Sequence, residues 1–162
     1  MMKAQRARGF TLIEMLTVVS VLAVVAAIAA PGMRSFAAGQ RVKALAYDIT
    51  ADLLLARSEA LKRNINVSIT PVTGTNWASG WTVDAGAVNI SSRNAANESL
   101  TFTGAPASIT FGVNGRVVAP TDPLGVRMTV ESDAATNDFS KRCIELDLSG
   151  RARSSVGKCP PP

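Results

Sequence analysis

The run from Phe10 to Ala30 is 21 residues long and carries one charge, Glu14. As an α-helix rising about 1.5 Å per residue it would reach about 30 Å, the thickness of a bilayer's hydrocarbon core. The residues before it include Lys3, Arg6 and Arg8 and no acid. A basic flank stays on the cytoplasmic side, so this arrangement sends the C-terminal part of the chain outward. A cleaved secretory signal is the competing reading, with Ala27-Ile28-Ala29 imitating its small-residue cut site. That reading leaves Glu14 without a purpose. A carboxylate at bilayer depth costs at least about 2.5 kcal/mol, so it normally has a partner.

A length of 162 residues suits one domain plus an anchor. Without the three basic residues of the leader, 14 basic side chains face 12 acidic ones. Bulk charge therefore does not point to a polyanionic partner, and only local placement can.

Gly9-Phe10-Thr11-Leu12-Ile13-Glu14 behind a basic leader resembles the processing site of type IV prepilins. The resemblance implies that a membrane peptidase cuts after Gly9 and methylates the new N-terminal amine of Phe10. It also implies that Glu14 pairs with the amine of a neighbouring subunit during assembly. Pro31 falls where pilins commonly carry a helix-kinking proline. The expected organisation is a leader over 1–9, a membrane and assembly helix over 10–31, an amphipathic half-helix over 32–64 and a β-rich domain over 65–162.

In that second half-helix, Val42, Leu45, Ile49, Leu53, Ala56 and Ala60 recur at spacings of three and four. They form one apolar stripe, with Arg41, Lys43, Asp48, Arg57, Lys62 and Arg63 mostly off it. From Ile65 the period becomes two, with Val67 and Ile69 continuing the alternation. Further strands are expected at Trp81–Val83, Leu100–Phe102, Ile109–Phe111, Val126–Val130 and Ile144–Leu148, with 151–156 pairing back on the last. Pro71–Gly80, Ser91–Ser99 and Ser132–Ser140 read as turn or loop. Asn114-Gly115 signals a hairpin that continues into Arg116-Val117-Val118, and Gly115-Arg116 reads as structural there. Trp77 and Trp81 read as core or rim packing rather than a binding platform. The fold class is α+β: a long N-terminal helix packed on one antiparallel β-sheet or a β-sandwich.

Cys143 and Cys159 are the two cysteines of a domain expected outside the cytoplasm, and a disulfide follows. It would close a loop of 17 residues, worth about 3 kcal/mol in the chain-entropy model. With no His in the chain, two thiolates make a poor metal cage, and no metal or cofactor is expected.

The same loop contains Gly150-Arg151-Ala152-Arg153 and Lys158, with no acidic residue from Ser149 to Pro162. In an extended segment Arg151 and Arg153 share a face, about 6–7 Å apart. Guanidinium groups suit phosphate because their planar fork donates two hydrogen bonds. Lys141 and Arg142, just before the loop, would enlarge the patch. The chain as a whole resembles the GspH/FimT family of minor pilins and pseudopilins. Its FimT-type members, linked to natural transformation, carry a G-R-x-R motif near the C-terminus that contacts DNA. The resemblance implies that Arg151 and Arg153 are the primary DNA contacts, with Gly150 shaping the turn; Lys158, Lys141 and Arg142 are added from placement.

The expected function is a minor pilin of a type IV pilus that grips extracellular DNA for uptake. Its partners would be other pilin subunits, the prepilin peptidase, the inner membrane and the DNA backbone. It would sit in the inner membrane with its C-terminal domain in the periplasm, then in the surface-exposed fibre. The alternative is a GspH-type minor pseudopilin of a type II secretion system, without DNA binding. An enzyme is not expected: the sequence offers no His, no phosphate loop and no recognisable acid–base pair.

Overall fold

The apolar stripe and the membrane-length run fall on one helix. In a computed structural model that describes residues 10–96, 100–134 and 137–160, α1 runs from Leu12 to Arg63, 52 residues, with Pro31 inside it. Proline has no N–H to donate to the carbonyl one turn earlier, yet the helix continues past it. The chain divides into two units, one ending at Arg34 and one beginning at Ser35. In the first, the helical side chains from Leu12 to Arg34 are exposed in the single chain. This helix is long and apolar enough to cross a membrane.

The second unit contains every buried side chain among the described residues, from Ala38 to Leu146, so it carries its own core. Val42, Ile49, Leu53, Ala56 and Ala60 are fully buried and Leu45 nearly so, as the spacing predicts. They join one cluster with inward residues of nine strands: β1 (Val67–Thr73), β2 (Asn76–Ala85), β3 (Val88–Arg93), β4 (Leu100–Thr103), β5 (Ile109–Phe111), β6 (Val117–Ala119), β7 (Val126–Ser132), β8 (Arg142–Leu146) and β9 (Ala152–Val156). One sheet has the order β3-β2-β1-β5-β6 and the other β4-β7-β8-β9. Every neighbouring pair is antiparallel. The two-sheet form of the α+β expectation is the one adopted.

Three local expectations need correction. Pro71–Gly80 is mostly strand: β1 runs on to Thr73 and β2 starts at Asn76. Pro71 is tolerated because β5 pairs with β1 only as far as Ile69, leaving the far side of Pro71 without a ladder partner. Residues Ser91 to Arg93 belong to β3 rather than to a loop; they pair with Trp81, Thr82 and Val83, and residues 97–99 of the expected loop lie outside the described residues. The strand expected at Ile144–Leu148 is shifted two residues earlier, to Arg142–Leu146, because Asp147 begins the following turn. Within 132–140, Asp138–Ser140 forms a short 3-10 turn capped by the Asn137 side chain.

Trp77 and Trp81 are both in the core. The Trp77 indole N–H donates to the Pro106 carbonyl at 2.7 Å and that of Trp81 to Asp52 Oδ2 at 2.9 Å. Buried indoles whose N–H groups are satisfied are packing residues.

Candidate nucleic-acid interface and assembly segment

Gly150 owes its place to the backbone. Its φ is +80°, and a Cβ there would lie 2.2 Å from the Gly115 carbonyl oxygen, so only glycine fits without displacement. The turn from β8 to β9 is fastened by Asp147. Its Oδ1 accepts from the Ser149 hydroxyl at 2.5 Å and from the Arg151 backbone N–H at 3.0 Å. Its backbone N–H donates to the Arg151 carbonyl, and its carbonyl accepts from Gly150 N–H. The Ser149 hydroxyl first, and then the Arg151 N–H, hold the Asp147 carboxyl below its ordinary range.

The turn therefore depends on pH in a definite direction. A depressed carboxyl contributes stability that is complete above the ordinary aspartate value of 3.8 and is lost as pH falls through the lower folded value. On acidification below about pH 4, the Arg151 amide is expected to lose protection from hydrogen exchange, and Asp147→Asn should remove this pH dependence. An Arg151 amide whose protection is unchanged across that range would contradict it.

Arg151 and Arg153 are exposed. Arg153 lies opposite Glu145 on β8, which lies opposite Arg127 on β7. Side chains alternate across a strand, so these three share the outer face of the second sheet. Glu145 pairs with Arg127 at 3.8 Å. Arg127, Arg151 and Arg153 line one shallow groove of about 150 Å³, with Glu145 and Asp147 in its wall. Neither Arg151 nor Arg153 forms a salt bridge among the described residues. A roomier groove of about 500 Å³, bordered by Thr103, Pro106, Pro120, Leu124 and Cys159, contains no such arginine pair. Charge, rather than volume, marks the candidate site.

The other sequence-predicted contacts fall elsewhere. Lys141 and Lys158 sit at the far end of the β8–β9 ladder, where the Lys141 carbonyl accepts from Gly157 N–H. Lys141 is bound to Asp138 at 3.1 Å and Glu131 at 3.4 Å, and the Asp138 carboxylate holds its ammonium above the usual range. Arg142 pairs in register with Val130 and Val156, a face away from Arg153, and lines a groove with Lys43, Gln40 and Phe36 of α1. The structure thus brings together Gly150, Arg151 and Arg153, and leaves Lys141, Arg142 and Lys158 apart from them.

Cys143 and Cys159 are joined, with Cα atoms 4.8 Å apart. Cys159 N–H also donates to Thr129 Oγ1 at 3.1 Å. Cys159, beyond β9, is thereby tied to both β8 and β7. Among the described residues, no cluster of His, Cys, Asp or Glu could hold a metal.

At the other end, Gly9 lies outside the described residues and Phe10 is exposed. Glu14 Oε2 accepts from Thr11 N–H at 2.8 Å and from Thr11 Oγ1 at 2.9 Å, while Glu14 N–H donates to Thr11 Oγ1 at 3.3 Å. This is a reciprocal capping box, legible as Thr-x-x-Glu and overlooked in the sequence reading. In the single chain, Glu14 satisfies the first turn of its own helix.

Residues 4–30 match the prokaryotic N-terminal methylation motif, and residues 45–150 match the family described as Type II transport protein GspH. A sequence search of curated proteins finds no match. Among solved structures, the fold resembles the type IV minor pilin FimU of Pseudomonas aeruginosa in two crystal forms. The first has a TM-score of 0.59 at 22% identity, covering 70% of this chain and 91% of that one. The second has a TM-score of 0.58 at 22% identity, covering 72% and 89%. With the family match spanning most of the globular unit and the methylation motif preceding it, the chain belongs to the GspH/FimT-like family of minor pilins and pseudopilins.

Proposed function

We propose that this protein is a minor pilin of a type IV pilus that grips DNA through Arg151 and Arg153. The observation that carries the reading is the turn itself. Two exposed arginines flank Ala152, and Asp147 and the Gly150 contact fix the backbone that bears them. A preformed turn spares a polyanion the cost of ordering it. Contacts of this kind go to phosphates, so binding is largely indifferent to sequence and falls steeply with salt. The resemblance to FimU supports the fold on which this reading rests.

In the same proposal, cleavage after Gly9 exposes Phe10 for methylation, and Glu14 exchanges Thr11 for the N-terminal amine of a neighbouring subunit. Before assembly the apolar part of α1 anchors the subunit in the inner membrane, with the domain from Ser35 onward in the periplasm. Extraction into the fibre then carries that domain to the surface.

A second reading, a pseudopilin of a type II secretion system, is favoured by the family's own description, and the family match stops at Gly150, just before the two arginines. The unit Ser35–Pro162, which contains the whole described core, separates the two. With a short mixed-sequence duplex at low salt, this unit is expected to bind. Arg151→Ala/Arg153→Ala should weaken binding at least about tenfold, from two lost charge-assisted hydrogen bonds, and lower the salt dependence by about two phosphate contacts. Absence of binding by the unsubstituted unit would remove the DNA-gripping function and leave the secretion-system reading.

A further inference from the structure

The β8–β9 turn does not stand alone. It rests on the loop of the β5–β6 hairpin, and an arginine lies at the middle of that contact. On one side of Arg116, the Gly115 carbonyl meets Gly150 so closely that no Cβ fits between them. On the other side, Val117 N–H donates to the Leu148 carbonyl at 3.2 Å. Arg116 is therefore held between two contacts with the turn that carries Arg151. Its own backbone is fixed as well: its N–H donates to Asn114 Oδ1 at 3.1 Å and its carbonyl accepts from Gly112 N–H at 2.8 Å.

Arg116 is exposed, flanked by buried Gly115 and Val117, and its guanidinium has no ion pair among the described residues. Beneath it, Arg57 of α1 donates from Nε to the Gly115 carbonyl at 3.1 Å. That bond brings a second guanidinium to the point where the hairpin meets the turn. Asp147, the acid of the abutting turn, is occupied by Ser149 and the Arg151 backbone.

We propose that Arg116 is a third contact to the DNA backbone, so that the grip spans both sheets rather than the C-terminal turn alone. Arg116 and Arg151 on two abutting loops, with Arg153 in β9 beside them, would meet phosphates of one backbone, and the abutment fixes the backbone spacing of the hairpin loop and the turn. This inference rests on the DNA-binding reading above and extends it to the hairpin.

The test uses the Ser35–Pro162 unit, the same short mixed-sequence duplex and a salt series, with melting temperature as the control for folding. Arg116→Gln should weaken binding about three- to tenfold near 0.1 M salt and lower the salt slope by about one. Arg116→Lys should keep the slope, because it keeps the charge. The melting temperature should not move, since only backbone atoms of residue 116 hold the loop. If Arg116→Gln binds with unchanged affinity and slope while Arg151→Ala/Arg153→Ala loses binding, the hairpin contact is wrong and the turn contact survives. If the unsubstituted unit does not bind, both readings fall together.

Discussion

Asp52→Ala is expected to destabilise the globular unit by about 2–4 kcal/mol. Asp52 is a 4% exposed carboxylate in the apolar stripe of α1. Its Oδ2 accepts from Trp81 Nε1 and from Arg93 Nε, both at 2.9 Å. It thus ties the helix to neighbouring strands β2 and β3 through one oxygen. Truncation leaves the Trp81 N–H buried and unsatisfied, at a cost of about 1–3 kcal/mol, and removes a charge-assisted bond. Arg93 is 41% exposed and also lies 3.6 Å from Asp48, so its charge is not stranded, and the total stays below the upper range for a fully buried pair. Asp52→Asn, which retains an acceptor, should cost clearly less. Urea unfolding of the Ser35–Pro162 unit measures both. A loss under about 1 kcal/mol for the alanine variant would mean that this network does not pin the helix.

Gly150→Ala is the second large effect, and it should be felt twice. A left-handed backbone conformation costs a β-carbon about 1–2 kcal/mol, and the contact with the Gly115 carbonyl adds a clash that one of two backbones must relieve. Together these amount to about 2–4 kcal/mol of stability. The displacement also moves Arg151 relative to Arg116, so DNA affinity should fall although no charge is lost. Gly157→Ala is the matched control. Its φ is +99°, but nothing lies within 4 Å of the added carbon, so it bears the conformational cost alone. Equal destabilisation by the two variants would show that the close approach at Gly150 contributes nothing.

The sequence made the scaffold readable wherever a period was carried by large side chains. The stripe from Val42 to Ala60 and the alternation in β7 and β8 are of that kind. It hid structure where small residues carried the period. In β2 the core positions are Trp77, Trp81, Val83 and Ala85, and alanine, serine and glycine between the indoles blur the alternation. β3 reads as polar because it is an edge strand with a half-exposed face. The role of Asp52 has no local signature, because its partners lie 29 and 41 positions away.

The candidate site divided in the same manner. Arg151 and Arg153 were legible from a local motif. The distance of Lys141, Arg142 and Lys158 from them follows from ladder register and strand face, which adjacency in sequence does not report. Arg116 was set aside as part of a hairpin, since the meeting of Gly115 with Gly150 joins residues 35 positions apart.

β9 ends the order of its sheet, with only β8 beside it. Its other side has no strand partner among the described residues, and such an edge is the kind of surface onto which a strand from another molecule adds itself. The chain lays Arg151, Arg153 and Lys158 along that short strand and its flanks, and the disulfide ties Cys159, beyond it, to β8. Like charges brought together when two such margins meet repel one another. Two copies of the globular unit meeting edge to edge at β9 would therefore face repulsion instead of a ready ladder.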